Sequence, residues 1–180
     1  MNEDIKKILV SKEQIQKRVQ ELGKQLTKDY AGKKVVMVVL LKGAAHFATD
    51  LSEAMDIPVR MEFMVVSSYG NSTQTSGCMI IRLDIQDNIA GKDVLLVDDI
   101  IDSGMTFANI KKMLQAKHPA SIKTVALCDK KARRTTGFNA DYSGFQIPDE
   151  FVVGYGLDYA GEYRNLPYIG ILKPSVYARA

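Results

Sequence analysis

The chain has 180 residues, 46% of them hydrophobic and 25% charged, with a net charge of +3. That length suits one domain with a sizeable core, and the composition is ordinary for a soluble globular protein. The charge is too small and scattered to argue for nucleic acid, and no apolar run reaches the roughly 18 residues of a membrane helix. Met1 to Val10 is too charged for a secretory signal. Cys78 and Cys128 have neither metal-site nor disulfide-framework spacing. These features predict a cytoplasmic enzyme without a membrane or nucleic-acid partner. His46 and His118 stand apart from other candidates and read as surface or packing residues.

Ser11 and Gln14 form a capping-box pattern that opens a helix, and Ile15, Val19, Leu22 and Leu26 recur at helical spacing after it. Val35 to Leu40 reads as a strand, followed by a helix from Ala44 to Met55 with Phe47, Leu51 and Ala54 inward. Val59 to Val66 and Met79 to Leu83 read as two strands, joined by the polar stretch Ser67 to Gly77, which has no apolar anchor. Val94 to Val97, a helix from about Phe107 to Ala116, and Ile122 to Cys128 complete a βαβ unit. Short strands are expected near Phe151 to Val153 and Tyr168 to Leu172. The alternation predicts an α/β fold with a mostly parallel central sheet flanked by helices.

The most informative segment is Val94-Leu-Leu-Val-Asp-Asp-Ile-Ile-Asp-Ser-Gly-Met-Thr106. Val94 to Val97 suits a strand buried on both faces. Asp98 and Asp99 follow at its carboxyl end, where α/β folds bind their ligands. Asp102 comes three residues later, and Ser103, Gly104 and Thr106 open the next helix, where backbone N–H groups can cradle an anion. One loop thus offers a phosphate cradle beside acceptors for sugar hydroxyls. The plainer reading is a strand–turn–helix in which an Asp caps the helix and Gly makes the turn. Three acids in five residues after a wholly apolar strand favour the functional one.

This loop resembles the ribose-phosphate loop of the type I phosphoribosyltransferases, and more narrowly that of the hypoxanthine-guanine phosphoribosyltransferases. The resemblance implies that Asp98 and Asp99 hold the ribose hydroxyls and that Asp102 is the catalytic base for the purine. Ser103, Gly104, Met105 and Thr106 would wrap the 5′-phosphate. Two positions depart from the family's commonest pattern: Asp98 replaces the longer Glu, and Met105 stands where several relatives carry a basic residue.

Three further segments carry the same resemblance. Asp129-Lys130-Lys131 ends the strand after the helix, and Ile147-Pro148-Asp149 leads into Phe151-Val-Val-Gly-Tyr-Gly-Leu-Asp-Tyr159. By composition alone Lys130 is a solvated lysine and Phe151 a core residue. By resemblance, Lys130 donates to the purine 6-oxo group, Phe151 stacks on the base, Val152 offers its backbone, and Asp158 lies near the magnesium and the far edge of the base. Leu40-Leu-Lys-Gly43 alone is a tight strand-to-helix turn. Within the resemblance Lys42 and Gly43 bind the diphosphate of phosphoribosyl diphosphate, after a Leu–Lys peptide that is cis in some relatives, and Arg164 is the second diphosphate contact. Ser68 and Tyr69 would lie on a lid over the reacting centre.

The implied reaction is transfer of the 5-phosphoribosyl group to N9 of a 6-oxopurine, with Mg2+ held near Asp98, Asp99 and Asp158. The same resemblance implies a single domain over 1–180, with a hood built from about 1–15 and 147–175, and a homodimer or homotetramer. Two other readings compete. A regulatory protein that keeps the phosphoribosyl loop but binds DNA would need an appended domain or basic face. A pyrimidine phosphoribosyltransferase would lack the purine string at Phe151 to Asp158.

Overall fold

The structure, a computed structural model, describes residues 2–68 and 79–178. A six-stranded sheet forms its centre, with β3 (Val59–Ser68) and β2 (Val35–Leu41) beside β5 (Asp93–Ile101), β6 (Ser121–Asp129) and β7 (Tyr142–Gln146), and β4 (Met79–Leu83) outside β3. Adjacent pairs from β3 to β7 run parallel, while β4 is antiparallel to β3. A second, three-stranded sheet joins the chain termini, in the order β1 (Ile5–Val10), β9 (Ile169–Leu172), β8 (Val152–Val153). No helix among the described residues is long and apolar enough to cross a membrane.

Strand β2 explains the layering. All but its last residue are buried, and successive side chains point to opposite faces. Val35, Met37 and Val39 join a core that includes Ile15, Val19 and Leu22 of α1 (Lys12–Asp29) and Phe47 and Leu51 of α2 (Ala45–Ala54). Val36, Val38 and Leu40 join Phe107, Ile110 and Leu114 of α3 (Met105–Gln115) on the other side. A strand covered on both faces is apolar throughout, which is why its sequence shows no alternation. Helix α1 begins as its capping box requires: the Gln14 N–H donates to the Ser11 hydroxyl at 3.3 Å, and the Ser11 N–H to Gln14 Oε1 at 2.8 Å.

Several expectations are corrected. The strand read over Val94 to Val97 continues to Ile101, so Asp98 and Asp99 lie within β5 rather than in the loop after it. Parallel pairing holds them there, with Asp98 beside Ala126 and Ile101 beside Asp129 of β6. The strand expected from Phe151 begins at Val152. Strands β1 and β7 and the short helix α4 (Pro174–Tyr177) carry weak signals and were not expected. Ser68 ends β3, while Tyr69 and the rest of the stretch expected to form a lid lie outside the described residues.

Leu96 is fully buried between the sheet and α3. Truncating such a side chain costs about 2–5 kcal/mol, from lost transfer energy and the cavity left behind. Leu96→Ala should therefore lower the unfolding free energy in urea by about that amount. A loss below about 1 kcal/mol would contradict the packing described.

Candidate active site

Because β2, β5 and β6 are parallel neighbours, their carboxyl ends emerge at one edge of the sheet. Three turns meet there: Lys42–Gly43 after β2, Asp102–Gly104 after β5, and Lys130 after β6. A cavity of about 220 Å³ is lined by Asp98, Asp99, Asp102, Ser103, Gly104, Thr106 and Phe107.

The turn between β5 and α3 is built around Gly104, which precedes the first helical residue with φ of +85°. That left-handed conformation favours glycine, and a Cβ there would also overlap the Thr136 hydroxyl. Segment 131–138 braces the turn from below. Thr135 N–H and the Thr136 hydroxyl donate to the Ser103 carbonyl at 3.2 and 3.0 Å, and Arg134 bridges Asp129 and the Phe138 carbonyl. The cap residue Gly104 offers no side chain, no acid lies in the first turn, and the one side-chain contact described there is weak, with the Met105 N–H donating to the Ser103 hydroxyl at 3.3 Å. Its leading N–H groups thus face the cavity, carrying the partial positive charge of a helix N-terminus. The plainer reading, an Asp cap, is thereby set aside. Met105 is 43% exposed, so its side chain is not needed to form the cradle.

Asp98 and Asp99 are partly exposed side chains of β5, and neither forms an ion pair with a described residue. Burial raises the pKa of Asp98 first, and the charge of Asp99 raises it further. Asp99 is also raised by burial, against the opposing pull of hydrogen bonds and of Arg164. Gly43 packs so tightly on this pair that a Cβ would overlap the Asp99 carboxylate. The Leu41–Lys42 peptide before it is cis, and Lys42 is exposed at the cleft edge. Asp102 presents a different surface. Its Oδ2 lies 3.9 Å from Arg133, whereas its Oδ1 is buried without a hydrogen-bond partner among the described residues.

The segment expected to read the purine comes together across the chain. Lys130 is 6% exposed and forms no ion pair with a described carboxylate. Phe151 keeps 38% exposure, stacked on Tyr177 at 5.1 Å between ring centroids and edge-on to Tyr159 at 5.6 Å. Leu172 N–H donates to the Phe151 carbonyl at 2.8 Å. Antiparallel alternation then turns the Val152 N–H and C=O toward the unpaired edge of β8. Arg164 pairs with Asp158 at 2.7 Å and also donates to the Gly156 carbonyl, while the Gly161 N–H donates to Asp158 at 2.8 Å. Asp158 is thus engaged by its own turn.

Sequence reasoning did not find Arg133, Arg134, Thr136, Tyr155, Asp50 or Tyr177. Arg134 and Thr136 act from a segment with no periodicity, and the partners of Tyr155 and Phe151 are far away in sequence. The only available signal was the crowding of Lys and Arg in 130–134 just past a strand's carboxyl end.

The raised carboxylates set a pH dependence. An aspartate with a raised folded pKa binds its proton more tightly when folded than when unfolded. Ionising the pair therefore costs stability, and the cost grows as pH rises from the ordinary 3.8 through the raised values. Asp98→Asn should accordingly raise the melting temperature near neutral pH by about 2–4 °C, with the gain shrinking toward pH of about 4. Calorimetry that finds an unchanged or lower melting temperature at neutral pH would refute this.

Comparison with known proteins places the chain in a family. Residues 7–160 match the model of the phosphoribosyl transferase domain. The chain is 49% identical over 177 residues to the hypoxanthine-guanine phosphoribosyltransferase of Bacillus subtilis, covering 98% of both chains. It is also 49% identical to part of the bifunctional protein TilS/HprT of Listeria innocua, where it spans only 28% of that protein's length. A solved hypoxanthine phosphoribosyltransferase from Staphylococcus aureus superposes with a TM-score of 0.95 at 48% identity, covering 98% of this chain and 96% of the other. With a family model matched over most of its length and a relative 49% identical over nearly all of both chains, the chain belongs to the hypoxanthine-guanine phosphoribosyltransferases of the phosphoribosyl transferase family.

Proposed function

We propose that the chain transfers the 5-phosphoribosyl group of phosphoribosyl diphosphate to N9 of hypoxanthine or guanine, releasing pyrophosphate and the nucleoside 5′-monophosphate. The observation that carries this reading is one sheet edge that joins a helix N-terminus with no acid in its first turn, a carboxylate pair in no ion pair with a described residue, and a buried lysine. Each suits one part of the substrates. The 5′-phosphate sits on the leading N–H groups of α3 beside the hydroxyls of Ser103 and Thr106. Asp98 and Asp99 accept from the ribose hydroxyls. Lys42, the Gly43 backbone and the Arg164 fork hold the diphosphate.

The carboxylate pair also fits magnesium. It offers hard oxygen donors whose charge no described side chain neutralises, and among the described residues no cluster of three metal-ligating side chains exists. Magnesium commonly takes one or two protein carboxylates and completes its shell with phosphate oxygens and water. Asp98 and Asp99 would hold it, with Asp158 as the third candidate, engaged in this structure by Arg164. Bound there, it would neutralise charge on the leaving diphosphate.

The purine lies on the exposed face of Phe151, with Lys130 donating to its 6-oxo group and the free backbone edge of Val152 reading its far side. Adenine would bring a donor to a donor, and unpaired buried polar groups reject ligands by roughly 10⁴-fold in favourable cases. The unpartnered Asp102 Oδ1 accepts the N7 proton as N9 attacks. The terminal sheet of β1, β9 and β8 then serves as the hood over the base. In this reading the protein acts in the cytoplasm as a homodimer or homotetramer. Phe63, Ile80 and Leu83, each 39–41% exposed on β3 and β4, supply apolar side chains for self-association.

The direct test incubates the protein with phosphoribosyl diphosphate, magnesium and single bases, and measures pyrophosphate release. Hypoxanthine and guanine should be consumed, and adenine and pyrimidines should not. Turnover of a pyrimidine alone would overturn the reading. Asp102→Ala should lower kcat by about 10²–10⁴-fold while phosphoribosyl diphosphate still binds; normal turnover would remove its role as base. Lys130→Gln should lower kcat/KM for both 6-oxopurines and raise that for adenine relative to them, because an amide can accept as well as donate. Unchanged constants for guanine and hypoxanthine would contradict the assignment of Lys130.

A further inference from the structure

The two halves of the diphosphate site come from distant parts of the chain, and one contact joins them. Lys42 and Gly43 follow β2, while Arg164 closes the turn that begins at Gly154. That turn is held internally: Gly154 N–H donates to the Leu157 carbonyl at 2.9 Å, Tyr155 N–H to the Leu166 carbonyl at 2.8 Å, and Gly156 N–H to the Arg164 carbonyl at 3.0 Å. It rests directly on the Lys42–Gly43 turn. Gly156, at φ of +101°, approaches so closely that a Cβ would overlap the Gly43 carbonyl. Gly43 in turn abuts Asp99. The order of contact is therefore Asp99, Gly43, Gly156 and the Arg164 backbone.

Glycine contacts of this kind set a distance but supply no grip. The grip comes from Tyr155. Its ring is 8% exposed and its hydroxyl donates to Asp50 of α2 at 2.6 Å. His46, one helical turn before Asp50, lies 5.9 Å from the same ring between centroids. Helix α2 begins two residues after Gly43, with Ala44 as its cap, so Tyr155 is tied to the element that follows the Lys42–Gly43 turn. Tyr155 itself has φ of +49°, a conformation unfavourable for a bulky residue and retained only where surrounding contacts fix it.

We propose that Tyr155 and Asp50 are positioning residues, a strut between α2 and the Gly154–Leu157 turn that holds Arg164 and Lys42 at the spacing of a single diphosphate. This rests on the assignment of Lys42 and Arg164 to the diphosphate. Tyr155 lies within the purine string, but its hydroxyl reaches α2 rather than the 5′-phosphate turn, Lys130 or Phe151, so its effect should fall on one ligand group.

The test uses calorimetric binding of pyrophosphate with magnesium, binding of inosine 5′-monophosphate, and steady-state KM and kcat. Tyr155→Phe keeps the ring in the core and removes only the donor. It should weaken pyrophosphate and raise KM for phosphoribosyl diphosphate roughly tenfold, the value of one hydrogen bond to a charged group, with nucleotide binding and kcat little changed. Asp50→Ala should behave alike, and Asp50→Asn, whose amide oxygen still accepts from the hydroxyl, should restore most of the affinity. Variants that bind pyrophosphate like the parent while melting at lower temperature would overturn the proposal alone, leaving a purely structural bond. A parent protein that binds no pyrophosphate would overturn the diphosphate assignment and this proposal with it.

Discussion

The backbone ladder joining β2, β5 and β6 is the constraint on which the rest of the structure depends. Those strands pair in parallel, with Val39 beside Val97 and Val97 beside Val125. Parallel pairing sends every connection back across a face of the sheet, so the carboxyl ends of all three strands stay together. Residues from three separate stretches of sequence are thereby delivered to one cleft. The apolar side chains of these strands serve the ladder as much as the core, since they allow helices to cover both faces and exclude water from the backbone bonds.

The cleft is built at a cost to stability. Among the described residues, two adjacent carboxylates share the floor without a paired cation, and one oxygen of a third is buried without a partner. Both features oppose folding and suit a ligand that brings hydroxyls, a cation or a proton donor. The cations stand around them on other elements: Lys42 after β2, Lys130 after β6, Arg133 past it, and Arg164 on the terminal turn. In the proposed reading, separating the charges in this way keeps the acids ready for sugar and metal while the anionic ends of the substrate meet guanidinium and ammonium groups. An Asp98–lysine contact would make a more comfortable fold and a poorer site.

Much of this was legible in the sequence wherever local rules decide the outcome. The run Val94 to Val97 announces a buried strand, Ser11 with Gln14 announces a capped helix, and Gly104 after a strand announces the turn. What escaped depends on contacts between distant residues. Asp98 and Asp99 look like loop residues because polarity ends an apolar run, yet the ladder to β6 continues regardless of side chain. Strand β1 escaped because Lys6 and Lys7 interrupt it and its pairing with β9 is irregular. Strand β7 holds Gly144, whose missing side chain lets it approach the Leu127 carbonyl. Tyr155 with Asp50, and Phe151 with Tyr177, are joined only by the tertiary fold.

If one sheet edge binds the whole nucleotide product, a crystal structure of the inosine 5′-monophosphate complex will show every part of it there. The 5′-phosphate should sit on the N–H groups at the start of α3, the ribose hydroxyls against Asp98 and Asp99, and the base on Phe151 with its 6-oxo group toward Lys130. Density for the phosphate away from the Ser103–Thr106 turn, or for a base not in contact with Phe151, would contradict it.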